Sequence, residues 1–69
     1  MNVQRHVGLK ARQHRLAAGL TQEDVADRMG VDRSFVSGLE RGERNLTLKS
    51  MWSLSQALGV KLAQLVEGL

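Results

Sequence analysis

Glycine sets the scale of this chain. Gly19, Gly30, Gly42, Gly59 and Gly68 recur at the spacing of helix ends, and proline is absent. Between them no stretch alternates apolar and polar residues for more than a few positions, so strands have no signal. Helical spacing runs through every segment. The expected fold is therefore all-α: five short helices with tight connections, forming a single domain over residues 1–69.

The first segment, about Val3 to Ala18, places Val3, Val7, Ala11 and Ala18 on one helical stripe, with His14 inside it. The second opens at Thr21, a good N-cap. Gln22, Glu23 and Asp24 follow, so the acids lie near the positive end of the helix dipole. Val25, Ala26 and Met29 form its inward face, and Gly30 stops it. Asp32 has the position and chemistry to cap a third helix, Arg33 to about Arg41, with Val36 and Leu39 inward. Arg41 to Asn45 reads as a polar loop. Thr47 caps a fourth helix, Leu48 to Leu58, whose stripe is Leu48, Met51, Leu54 and Leu58. Gly59 ends it. A short fifth helix carries Leu62, Leu65, Val66 and Leu69, and its start at Lys61 lacks a good capping residue.

At 69 residues the chain buries a limited core and needs reinforcement. It has no Cys, which removes disulfides and thiolate metal sites. His6 and His14 are its only imidazoles, a poor basis for a metal site, and His14 reads as a satisfied or surface histidine. Helix packing and dimerisation remain. No apolar run approaches the roughly 20 residues that cross a bilayer. The start, Met1-Asn2-Val3-Gln4-Arg5, lacks the apolar centre of a signal peptide, so a cytoplasmic location (prokaryotic cytosol or nucleoid) is expected. The net charge of +3 is uneven. Arg5, Lys10, Arg12 and Arg15 precede any acid, and Arg41, Arg44 and Lys49 form a second basic group. A solvated positive surface and a phosphate-binding face both fit that pattern.

Thr21 to Leu39 is the informative stretch. It reads as a two-turn helix, a three-residue turn (Gly30-Val31-Asp32) and a second helix. Gly30 supplies the left-handed turn residue, Ala26 permits close approach, Val31 plugs the gap and Val36 packs back. Such a unit projects its second helix outward, and the major groove of DNA admits one α-helix. Arg33, Ser34 and Ser37 would then meet base edges, with Phe35 against a thymine methyl. Val36 takes the inward direction, so Phe35 is expected to be exposed. A lone exposed Phe also occurs without function.

Over Thr21 to Leu65 the chain resembles the lambda-repressor-like, Cro-type (XRE) helix-turn-helix family. The residues that carry the resemblance are Gly19 to Ala26, Gly30 to Ser37, Leu39-Glu40-Arg41-Gly42 and Ala57-Leu58-Gly59-Val60. Within the family, Asp32 to Arg41 together with Arg44-Asn45-Leu46-Thr47 looks like the controller proteins of restriction–modification systems. The resemblance implies a helix-turn-helix over about 21–41, formed by the second and third helices. It implies base contacts from Arg33, Ser34, Phe35 and Ser37, while Gly38 leaves one reading position without a side chain. It implies phosphate contacts from Thr21, Gln22, Arg44, Asn45, Thr47 and Lys49. Arg15 and Glu40 match a partly buried ion pair that ties the first helix to the third, a structural role.

Dimerisation is assigned to about residues 48–69. Leu62, Leu65, Val66 and Leu69 are four apolar residues in eight, more than one stripe on the fourth helix buries, and Trp52 lies at the core edge or the interface. The expected function is a sequence-specific, homodimeric transcription regulator on an inverted-repeat operator in double-stranded DNA. It would be autoregulatory, and RNA polymerase would be a further partner of an activator. Glu23, Asp24 and Asp27 are one guess at an activating patch. Two other readings compete. A DNA-binding antitoxin would need a protein partner, and such proteins often carry an extra segment for the toxin, which is not expected past the fifth helix. A protein-interaction module would turn the Arg33, Ser34 and Ser37 surface to a protein. An enzyme is not expected: there is no Cys, no plausible His–acid pair, no Gly-rich phosphate loop and no metal cluster, hence no cofactor.

Overall fold

Each helix starts and stops on local chemistry. In the computed structural model, which describes residues 2–69, the order is α1 (Val3–Ala17), α2 (Gln22–Met29), α3 (Arg33–Glu40), α4 (Leu48–Leu58) and α5 (Leu62–Leu65), with no strand among the described residues. Met1, part of the N-terminal stretch read above, lies outside them. Asn2 caps α1 by accepting from the Arg5 N–H at 2.9 Å. Thr21 and Asp24 form a reciprocal capping box on α2, and Thr47 and Ser50 another on α4. Asp32 departs from expectation. Its backbone is extended as an N-cap requires, but its side chain makes no capping bond. The Phe35 N–H instead closes the first turn on the Asp32 carbonyl at 3.0 Å, leaving the exposed carboxylate to water. At α5 the Gln64 side chain accepts from the Lys61 N–H at 2.8 Å, so the N3 residue supplies the cap that Lys61 lacks.

Helix α5 stops at Leu65 after a single turn, short of Gly68 and Leu69, whereas the ends of the first four helices follow the glycines. Gly42 shows how: at φ +74° it lets its own N–H reach the Leu39 carbonyl (3.0 Å) and the Glu43 N–H reach the Gly38 carbonyl (2.9 Å). These two crossed bonds satisfy the last carbonyls of α3 and reverse the chain. Gly19, Gly30 and Gly59 close α1, α2 and α4 with the same pair of bonds.

The core is Val7 and Ala11 from α1, Val25 and Ala26 from α2, Val36 and Leu39 from α3, Leu54, Ala57 and Leu58 from α4, and Leu65 from α5. Val31 is half-buried against it, the plug expected of the turn. The predicted stripes fail at their ends. Val3, Ala18 and Leu48 are exposed, Leu48 by 72%. Periodicity does not say where a helix outruns the surface it packs on, and a first-turn side chain leans back past the helix start.

One residue without a place in the periodic reading turns out to set the α1–α3 crossing. A Cβ on Gly8 would sit 2.4 Å from the Leu39 carbonyl oxygen and 2.8 Å from that of Glu40. Backbone, not a flexible side chain, fills that space. Gly8→Ala is therefore expected to destabilise the fold by about 1–3 kcal/mol despite its better helix propensity. Urea unfolding measures it, and an unchanged midpoint would refute the close crossing.

The α2 capping box predicts acid sensitivity. The Thr21 backbone N–H, then its hydroxyl, hold the Asp24 carboxyl below the ordinary carboxylate range. A depressed folded pKa contributes stability that is complete above the unfolded value of about 3.9 and lost as pH falls through the lower folded value. The Thr21 and Asp24 amide signals should shift in that acid window, and Asp24→Asn should abolish the shift.

Candidate nucleic-acid interface

Helix α3 is anchored from within and open from without. Val36 and Leu39 are each 1% exposed on its inner side. Arg33 and Ser34, in its first turn, are exposed. Ser37 is half-buried, and its hydroxyl accepts from the Arg41 guanidinium. Phe35 is half-buried rather than exposed. The next residue points inward, but α3 lies close enough to Met29 and Val31 for the ring to rest on the core edge. The Arg44 guanidinium lies 5.2 Å from the centre of that ring.

The end of α3 is fastened to α1 by the expected ion pair. Arg15 Nε donates to Glu40 Oε2 at 2.6 Å and its terminal nitrogen to Oε1 at 3.0 Å, a two-pronged fit of guanidinium to carboxylate. The third prong reaches the Leu20 carbonyl at 3.1 Å. The Glu40 hydrogen bond raises the Arg15 pKa above its ordinary value against the opposing effect of burial. Gln22 joins this cluster: its amide nitrogen donates to Glu40 Oε1 at 3.1 Å. The residue expected to touch phosphate is thus held at the start of α2 by the pair beneath it.

Shallow clefts connect several of the expected contact residues, two of them meeting at Gln22 and a third lying apart at Phe35. The first runs from Arg33 to Thr21 and Gln22. The second joins Gln22 to Ser37 and also takes in Arg12 and Arg41, which the sequence left unassigned. The signal for them was the clustering of arginines before the first acid and after Glu40. The third joins Phe35 to Thr47 and Lys49. Arg44, Asn45, Thr47 and Lys49 are all exposed on the loop and α4 start. Two are already tied: Asn45 accepts from the Gln4 amide at 3.3 Å, and the Thr47 hydroxyl caps α4.

The apolar C-terminal surface differs from its sequence outline. Leu65 is 0% exposed and belongs to this chain's own core, because the single turn of α5 lays it between α1 and α4. Trp52 is 57% exposed and lines an apolar hollow with Leu48, Leu62 and the Lys49 stem. Val66 is half-buried and Leu69 exposed. Leu48, read as inward, thus joins the outer surface. No group of three His, Cys, Asp or Glu able to hold a metal occurs among the described residues, and no described helix is long and apolar enough to cross a membrane. His6 Nε2 lies 2.6 Å from the Glu67 carbonyl oxygen, which ties α1 to the C-terminal end.

Comparison with known proteins gives this geometry a context. The helix-turn-helix family model HTH_3 matches residues 12–65. The HTH-type transcriptional regulator y4dJ of Sinorhizobium fredii, itself described as uncharacterized, is 42% identical over 66 residues, 96% of this chain and 86% of that one. The crystal structure of the restriction–modification controller protein C.AhdI from Aeromonas hydrophila superposes with a TM-score of 0.85 at 40% identity, over 90% of this chain and 94% of that one. The controller protein C.Esp1396I, solved as a tetramer with its natural 35 base-pair operator, superposes with a TM-score of 0.83 at 33% identity, over 96% of each chain.

Proposed function

Because this chain belongs to the HTH_3 helix-turn-helix family, it is a DNA-binding transcription regulator, and we propose that it acts as a homodimer on an inverted-repeat operator beside its own gene. The observation that carries the reading is the construction of α3. Its inner side is locked by Val36 and Leu39 and its end by Arg15 and Glu40, while Arg33 and Ser34 stand free on the outer side.

In this reading the 1–69 chain is one functional unit, with its helix-turn-helix over about 21–41. The first turn of α3 enters the major groove. Arg33 donates to a guanine, Ser34 and Ser37 bond base edges, and the open edge of Phe35 meets a thymine methyl. Thr21 and Gln22 hold one DNA strand, and Arg44, Asn45, Thr47 and Lys49 hold the other side of the groove. The hollow of Trp52 and Leu62, together with Val66 and Leu69 of the C-terminal segment, receives the second copy. Two-fold symmetry then requires two half-sites related by a dyad, with an expected spacing of about one helical turn, or about 10 base pairs. The role is regulatory rather than catalytic, in a prokaryotic cytosol or nucleoid.

A mobility shift tests this directly, using the DNA immediately upstream of the gene against unrelated DNA at physiological salt. The expected result is a shift on the upstream DNA alone, in a dimer-sized step. Lys49→Ala should weaken binding to all sequences and reduce the salt slope by about 1. Equal weak binding to both DNAs would refute sequence specificity. Binding to neither would turn the same surface over to a protein partner.

A further inference from the structure

The space above Gly38 is not empty. The three atoms nearest to where a Cβ would stand all belong to Arg44: Nε at 3.1 Å, Cγ at 3.4 Å and Cδ at 3.8 Å. The path that brings Arg44 there is fixed by the chain reversal at Gly42. The Glu43 N–H is bonded back to the Gly38 carbonyl at 2.9 Å, so the following residue is thrown over the helix it has just left. The guanidinium then meets Phe35, three residues earlier on α3, at 5.2 Å from the ring centre. Gly38 is buried although it has no side chain, while Arg44 is exposed overall. No acid lies within ion-pair distance of Arg44 among the described residues. Its charge is therefore free for a partner, and its stem and plane are held by a gap and a ring.

We propose that Gly38 and Phe35 form a seat that fixes Arg44 over the recognition helix, so that, beside the ring's own edge contact, both act on DNA through Arg44. They are positioning residues. This rests on the DNA-binding reading above. It adds a division of labour: the ring of Phe35 preorganises a cation, and Gly38 keeps the place for it. A side chain whose bound pose already exists in the free protein loses less freedom on binding. An aromatic ring orients a guanidinium through its negative face, an effect worth about two- to five-fold at an exposed site.

The test is a pair of double-mutant cycles on the upstream DNA duplex, with the thermal midpoint followed in parallel. The loss of binding caused by Phe35→Leu should be about two- to five-fold larger in the natural background than in Arg44→Ala, where only the ring's own edge contact is left to lose. Gly38→Met fills the seat with a good helix former. It should weaken binding without lowering the thermal midpoint, and by more while Arg44 is present than in Arg44→Ala. Phe35→Tyr keeps the ring and should keep the affinity. Additive losses would show that Phe35 and Gly38 act independently of Arg44 and would overturn the seat. Tighter binding by Phe35→Leu would overturn it too, since the stacked pose would then be one that DNA must break. Should the natural protein not bind the duplex, the DNA-binding reading itself fails, and that outcome is visible before any variant is made. Should Phe35→Leu lower the midpoint too far to assay, the Gly38→Met cycle decides alone.

Discussion

Replacing Arg15 with alanine is expected to remove about 3–5 kcal/mol of folding stability, because it strands a buried carboxylate. The side chains of Arg15 and Glu40 are only 11% and 5% exposed. Without Arg15, Glu40 keeps a single bond from the Gln22 amide, and the Leu20 carbonyl loses its donor. A small domain has about 5–15 kcal/mol in all, so this one change removes a large share. The damage should come from the uncompensated charge rather than from the loss of attraction. Arg15→Met combined with Glu40→Leu should therefore recover most of the stability that Arg15→Ala loses. Urea unfolding of the three variants decides. A loss below about 1 kcal/mol for Arg15→Ala would place the pair with solvent-screened surface bridges. Alkaline pH should not mimic the mutation. The Arg15 pKa is raised on folding, so its contribution is complete below the ordinary arginine value and is lost only as pH rises through the still higher folded one.

Arg33→Ala has the other large expected effect, on specificity instead of stability. Arg33 is the first residue of α3 and is exposed, so truncation should leave the unfolding midpoint within about 0.5 kcal/mol of the natural protein. A guanidinium at the start of a groove-entering helix reads guanine O6 and N7 with two bonds, and losing it costs about 1–3 kcal/mol. The loss should fall on one base pair of each half-site. Competition between operator variants, each changed at one position, measures this: the Arg33→Ala protein should no longer distinguish bases at that position and should still distinguish them elsewhere. An unchanged preference at every position would remove Arg33 from the reading set. A uniform loss on all duplexes would make it a phosphate contact.

The two effects have different origins in the sequence. Arg33 was legible because helix starts are local: a glycine-closed turn, then a cap position, then the first exposed side chain. The ion pair was legible only through resemblance, since residues 15 and 40 share no periodic relation. Neither route revealed that Gln22 is bonded to Glu40, that Arg28 donates to the Ala57 carbonyl at 2.9 Å, or that Gly8 lies against the end of α3. Each joins groups far apart along the chain, and polar side chains with long reach offer several partners until the backbones are placed. The half-burial of Phe35 and the full burial of Leu65 were misjudged for a related reason. A helical wheel gives direction from one axis, not the distance to the next helix.

By itself, then, the sequence determined the five helices, the stops of the first four and the caps of α2 and α4, because those depend on residues within about one turn of each other. It also determined which helix carries Arg33 and Ser34 outward. Tertiary structure alone decided what each exposed or buried position faces. It set Gly8 at the α1–α3 crossing, moved Leu48 to the outer apolar surface, took Leu65 into the core and laid Arg44 across Gly38 onto Phe35. Those outcomes follow from where helix axes cross and where a closed turn sends the next residue, and helix packing sets both only after the local elements exist.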